Sequence, residues 1–129
     1  MIWVDIVTLL AALQLVLFGV LVGRARGQFG IAGPATTGHP VFERYYRVQM
    51  NTVELLVVFF PALWLAAKYW SPQYAAILGA VYLIGRFVYF SAYVRDPKKR
   101  SFGFSLSMLP ILALAAAALI GAIHALVKG

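Results

Sequence analysis

Four long apolar runs, each separated from the next by a short polar stretch, dominate this chain. Residues 6–23 are apolar except for Thr8 and Gln14, close to the roughly 20 residues a helix needs to cross a bilayer. Residues 48–69, 73–94 and 102–127 form the other three runs. Hydrophobic residues make up 63% of the 129 and charged residues 12%, against roughly 45–50% and about 25% in a soluble domain. Mean hydropathy is +0.86. The pattern predicts an all-α, integral membrane four-helix bundle, one domain over residues 1–129, with spans at about 3–23, 48–69, 73–94 and 102–127. No basic residue precedes the first run and no convincing small-residue cleavage site follows it. It reads as a retained helix rather than a signal peptide.

The connections are read from glycine, proline and charge. Residues 24–47 are the most polar stretch and contain Gly27, Gly30, Gly33, Pro34, Gly38 and Pro40, which predicts a loop from about Gly27 to Pro40 and helix again near Val41. Trp70, Ser71 and Pro72 make a tight turn. Residues 95–101 are a short charged loop. Pro61 and Pro110 are expected to kink the second and fourth helices. Arg24, Arg26, Arg44 and Arg47 flank the first loop, and Arg95, Lys98, Lys99 and Arg100 lie in the third. The second has at most Lys68, and the termini only Lys128. By the positive-inside rule, loops one and three are cytoplasmic and both termini lie on the opposite side.

The net charge of +7 does not point to nucleic acid, because the basic residues sit at the ends of apolar segments, where topology places them. With no cysteine in the chain, thiol chemistry must use a thiol brought by a ligand. His39 and His124 lie too far apart to suggest a metal site.

Polar residues inside the spans carry the functional reading. A charge at the bilayer centre costs about 2.5–3.5 kcal/mol on insertion scales, so such residues usually face a protein interior. The second span holds Gln49, Asn51 and Glu54, and the third Arg86. At 100° per residue, Arg47, Asn51 and Glu54 fall within about 60° of one another, with Gln49 nearly opposite. Tyr82, Arg86, Tyr89 and Tyr93 form a second stripe. Glu54 lies about 10 Å in from Arg47, and Arg86 about 12 Å in from Val94 on the same side. The stripes can meet in the cytoplasmic half, offering cations, amides, a carboxylate and phenols to an anionic, amino-acid-like ligand. The plainer readings are a buried Glu54–Arg86 ion pair with no ligand, Tyr89 and Tyr93 as interfacial anchors, Lys98 to Arg100 as a topology signal, and Gln49 bonded to a neighbouring helix or subunit.

The residues Phe42-Glu43-Arg44-Tyr45-Tyr46-Arg47-Val48-Gln49-Met50-Asn51-Thr52-Val53-Glu54 resemble a known family, the membrane-associated proteins in eicosanoid and glutathione metabolism (MAPEG). Pro34-Ala35-Thr36-Thr37-Gly38 before them and Arg86-Phe87-Val88-Tyr89-Phe90-Ser91-Ala92-Tyr93 after them extend the likeness to essentially the whole chain. The resemblance implies a homotrimer, with glutathione bound as co-substrate between neighbouring subunits on the cytoplasmic side. Carried over by position, Arg47, Asn51, Glu54, Tyr89, Tyr93 and Arg100 would contact glutathione, and Arg26 and Gln49 would reach it from the adjacent subunit. Arg100 would be the catalytic residue that stabilises the thiolate. Two positions depart from the pattern: a tyrosine common after the motif glutamate is Leu55 here, and an arginine pair is only Arg26 followed by Gly27.

The expected activity is that of a membrane-bound glutathione transferase, with peroxidase activity as a second capability. The thiolate would attack a lipophilic electrophile held in an apolar groove between subunits, lined by helices one and four. The rival is a non-catalytic, lipid-binding scaffold of the same fold. A transporter or channel would need polar residues through the full membrane depth, and helices one and four are almost wholly apolar.

Overall fold

A computed structural model describes all 129 residues. It contains four long helices, α1 (Ile2–Phe29), α2 (Pro40–Tyr69), α3 (Pro72–Arg95) and α4 (Ser101–Lys128), with one 3-10 turn, Pro97–Lys99. All four helices are long and apolar enough to cross a membrane. α1 and α4 each pack on both α2 and α3 but scarcely on each other, so the α2–α3 pair is the centre of the bundle. Leu9, Leu13, Val16 and Val20 of α1 and Leu109, Leu112, Leu119 and Ile123 of α4 are exposed on faces suited to lipid.

The helices run further than the apolar runs suggest. α1 continues past Gly23 and Gly27 and stops at Gly30, whose φ of 68° is left-handed. The Ile31 N–H then returns 3.0 Å to the Arg26 carbonyl, closing the helix end as a Schellman turn. The first loop is therefore shorter than Gly27 to Pro40. Two contacts keep the extra turns of α1 helical. Phe29 stacks on His39 with ring centres 4.1 Å apart, and the Arg26 guanidinium lies 4.9 Å from the Phe42 ring centre.

Helix starts follow capping chemistry. His39 is the N-cap of α2, its Nδ1 accepting from the Val41 N–H at 3.1 Å, with Pro40 at the first helical position, where a missing N–H costs nothing. Ser71 and Pro72 do the same for α3. Asp96 accepts from the Lys98 N–H, setting the turn that leads into α4. Helices α2 and α4 run unbroken through Pro61 and Pro110.

Two glycines decide how α3 meets α4. A Cβ on Gly103 would collide with the Tyr89 backbone nitrogen, and one on Gly85 would stand 2.7 Å from the Ser107 nitrogen. Only glycine permits this backbone approach, as small residues do at other membrane helix crossings. The crossing lies beside Tyr89 and three residues from Arg100.

Candidate functional site

Helix α2 begins with three tethers in consecutive residues. Phe42 is fully buried beneath Arg26. Glu43 accepts from the Gly38 N–H at 3.1 Å. Arg44 Nη1 donates to the Val94 and Arg95 carbonyls at 3.1 and 3.2 Å, satisfying acceptors that the end of α3 would otherwise leave free. This first part of the motif ties the loop, α1 and α3 to the start of α2. The second part faces a cavity.

That cavity, of about 480 Å³, is lined by Arg47 and Asn51 of α2, Tyr89 and Tyr93 of α3, Arg100, and Ser101, Phe104 and Ser105 of α4. It opens near the end of the bundle where α2 and α4 begin and α3 ends. Tyr89 and Tyr93 stack with ring centres 5.4 Å apart, forming one wall. Two guanidiniums, an amide, two phenols and two serine hydroxyls make a lining rich in donors and positive in charge, with no carboxylate in it. Such a lining suits an anionic ligand with several acceptor oxygens.

Five of the eight residues expected at the site thus come together: Arg47, Asn51, Tyr89, Tyr93 and Arg100. Glu54 lies two turns along α2 from Arg47 and pairs with it, Nη1 to Oε1 at 3.4 Å, both side chains more than half exposed. An exposed pair of this kind is worth about 0–1 kcal/mol, so either partner can be drawn away by a ligand. Arg26 and Gln49 are elsewhere. Arg26 Nη1 donates to the Ala35 carbonyl at 2.6 Å. Gln49 lies over Gly19 of α1, where a Cβ would stand 3.1 Å from its Nε2. Both sit on the α1 flank of α2, away from the cavity.

The buried Glu54–Arg86 ion pair is not formed. Arg86 is 0% exposed, and its Nη2 donates at 2.8 Å to Asn51 Oδ1 and at 2.8 Å to Thr52 Oγ1. The guanidinium lies 4.5 Å from the Tyr89 ring centre. Glu54 instead turns outward to Arg47. The tyrosine stripe also divides. Tyr82 is fully buried, stacked on Phe59 with ring centres 4.0 Å apart, while Tyr89 and Tyr93 reach the cavity.

Sequence reasoning missed Thr52, Ser101, Phe104 and Ser105. Phe104 and Ser105 follow Ser101 by three and four residues, the spacing of one helical face. That signal was available once α4 was started at Ser101.

The sequence profile of the MAPEG family matches residues 4–120. An uncharacterized protein of Synechocystis sp. is 45% identical over 120 residues, 93% of this chain and 88% of that protein. Microsomal glutathione S-transferase 2 of Homo sapiens is 45% identical over 108 residues, 84% of this chain and 73% of that protein. Leukotriene C4 synthase of Bos taurus is 42% identical over 94 residues, 73% of this chain and 63% of that protein.

Proposed function

This chain belongs to the MAPEG family and is an integral, multi-pass membrane protein, and from that premise we propose that it is a glutathione transferase acting on lipophilic electrophiles. The observation that carries the reading is the convergence of Arg47, Asn51, Tyr89, Tyr93 and Arg100 on one donor-rich cavity. Glutathione brings two carboxylates, an ammonium and a thiol. The arginines and Asn51 suit its carboxylates, and Glu54, held only by an exposed ion pair, suits its ammonium. The relatives whose names specify glutathione transfer support the same class.

The chemistry follows from charge. A free cysteine-type thiol has a pKa of about 8.5, and a nearby cation lowers it. Arg100 supplies that cation and keeps its own proton throughout. The thiol proton leaves to solvent at the cavity mouth. The sulfur lone pair then forms a C–S bond at the electrophilic carbon, whose displaced electron pair departs with the leaving group or moves onto a neighbouring atom. A lipid hydroperoxide would be reduced by the same thiolate, with a second glutathione completing the disulfide.

The functional unit in this reading is a homotrimer. Arg26 and Gln49, on the flank of α2 away from their own chain's cavity, face the cavity of the next subunit, and the acceptor groove lies between α1 of one chain and α4 of another. Loops one and three are cytoplasmic and both termini lie across the membrane. The protein should run as a trimer in mild detergent, and reporter fusions after Gly33 and Lys99 should read cytoplasmic while one at Gly129 should not; a monomer that still binds glutathione, or a cytoplasmic C-terminus, would overturn this arrangement.

Ultraviolet difference spectroscopy of purified protein with glutathione tests the activity. A thiolate band near pH 7, far below the range in which free glutathione ionises, is the expected result. Glutathione that binds without ionising replaces the transferase with the non-catalytic lipid-binding scaffold.

A further inference from the structure

Arg86 is a cation deep in α3 with no carboxylate partner, since Arg47–Glu54 is the only ion pair in the structure. Its Nη2 carries two N–H groups, and both are used: one on Asn51 Oδ1, one on Thr52 Oγ1, each at 2.8 Å. Thr52 can accept because its own hydroxyl proton goes to the Val48 carbonyl, 2.8 Å away. Nε and Nη1 have no partner within the chain. Arg86 itself does not line the cavity, but Asn51 does.

A guanidinium has donors and no acceptor. Only the oxygen of the Asn51 amide can therefore face it, and the amide cannot flip without setting Nδ2–H₂ against N–H groups in a buried site, where unpaired donors are costly. The other edge of Asn51, its two N–H donors, is what remains for the cavity. An asparagine normally meets a ligand as donor or acceptor; here the choice has been made from behind.

We propose that Arg86 is a positioning residue that locks the Asn51 amide with its N–H₂ edge toward the cavity, so that this subsite selects one carboxylate of the bound thiol peptide. The inference rests on the glutathione reading above and deepens it. Glutathione has two carboxylates, one on its glycyl end and one on its γ-glutamyl end, and the same donor edge fits either.

The test measures binding of glutathione and of two analogues, each lacking one of the carboxylates, to the wild type, Arg86→Met and Asn51→Asp in mild detergent, with Tm recorded for each. Arg86→Met keeps an apolar stem against Tyr89 and frees the amide to turn. Asn51→Asp keeps an acceptor for Arg86 and removes the donor edge. In the wild type, deletion of the selected carboxylate weakens binding about ten- to a hundred-fold, the range of a hydrogen bond to a charged group. In Arg86→Met that penalty shrinks about tenfold while the penalty for the other carboxylate stays as it was. In Asn51→Asp it vanishes, with Tm held or raised because Arg86 gains an anion. A purely structural role for Arg86 would weaken all three ligands alike. Equal weakening, or penalties unchanged in both variants while the wild type binds glutathione, overturns this inference alone. A wild type that binds none of the three overturns it together with the glutathione reading. If Arg86→Met does not fold, Arg86→Gln, whose amide can meet Asn51 with either its donor or its acceptor edge, is measured by the same criterion.

Discussion

From Leu55 to the Trp70 turn, α2 and its neighbours bury sixteen residues in one continuous apolar cluster, whereas in the half that carries the cavity the buried apolar residues fall into two groups of three. The cavity half is held instead by directed polar contacts: Arg26 on Ala35, Glu43 on Gly38, Arg44 on the end of α3, and Arg86 on Asn51 and Thr52. Inside a membrane, burying apolar surface gains little over lipid contact, so close packing and hydrogen bonds hold helices together. The far half relies on close packing of alanines among Leu, Val, Ile, Phe and Tyr side chains. The cavity half leaves space and arranges donors around it. The large apolar cluster and the candidate site thus lie at different ends of the same four helices.

The sharpest way to break this division is at the one place where packing reaches into the site. Gly103→Ala sets a methyl against the Tyr89 backbone, which cannot yield as a side chain would. Overpacking of this kind costs about 3 kcal/mol, the upper end of its usual range. Thermal unfolding should drop accordingly, and glutathione binding by the folded fraction should fall too, because Tyr89 and Arg100 move apart. Binding intact after such a Tm loss would mean the crossing does not set the site.

Leu63→Ala probes the far half alone. Leu63 is fully buried in the large cluster, and its truncation should cost about 2 kcal/mol, the lower end of the Leu→Ala range because transfer from water is absent. Tm should fall while glutathione affinity, corrected for folded protein, stays unchanged. Glu54→Gln should do the reverse, weakening glutathione about tenfold, or about 1.4 kcal/mol, with little change in melting. Its partner in the structure is an exposed Arg47 and not the buried Arg86, so a folding defect there would contradict the placement. Arg44→Ala is the smallest change. Losing its bonds to the Val94 and Arg95 carbonyls should cost about 1 kcal/mol of stability, read as a modest Tm decrease with conjugation nearly unaffected.

Much of this division could be read from residue spacing. The four spans follow from apolar run length, and the face shared by Arg47 and Asn51 follows from helical periodicity, with Gln49 correctly placed on the opposite side. What spacing does not contain is the rotation of one helix against another. Asn51 and Thr52 reach Arg86 while Glu54 turns outward, although all three are within reach of it by depth. The end of α1 was hidden for a different reason. Gly27 looks like a loop residue, and only the left-handed turn at Gly30 and the packing of Phe29 and Arg26 reveal that helix continues through it. The Gly85 and Gly103 contacts were invisible because they depend on what the opposing helix places there.

In the proposed transferase, the cation at the start of α4 acts on the sulfur and not on the fold. Arg100 is exposed, as are Lys98 and Lys99 beside it, so each can be replaced by alanine with the same loss of loop charge. The decisive measurement is the conjugation rate and glutathione affinity of Arg100→Ala beside Lys98→Ala and Lys99→Ala. A cation that interacts with the thiolate more strongly than with the thiol contributes to the rate rather than to binding. Arg100→Ala should therefore lose about 10²–10³ in turnover, the range seen when one preorganised electrostatic contact is removed, while keeping most of its affinity for glutathione and its Tm, and the two lysine variants should match the wild type. Full turnover in Arg100→Ala, or equal losses in all three, would contradict the account.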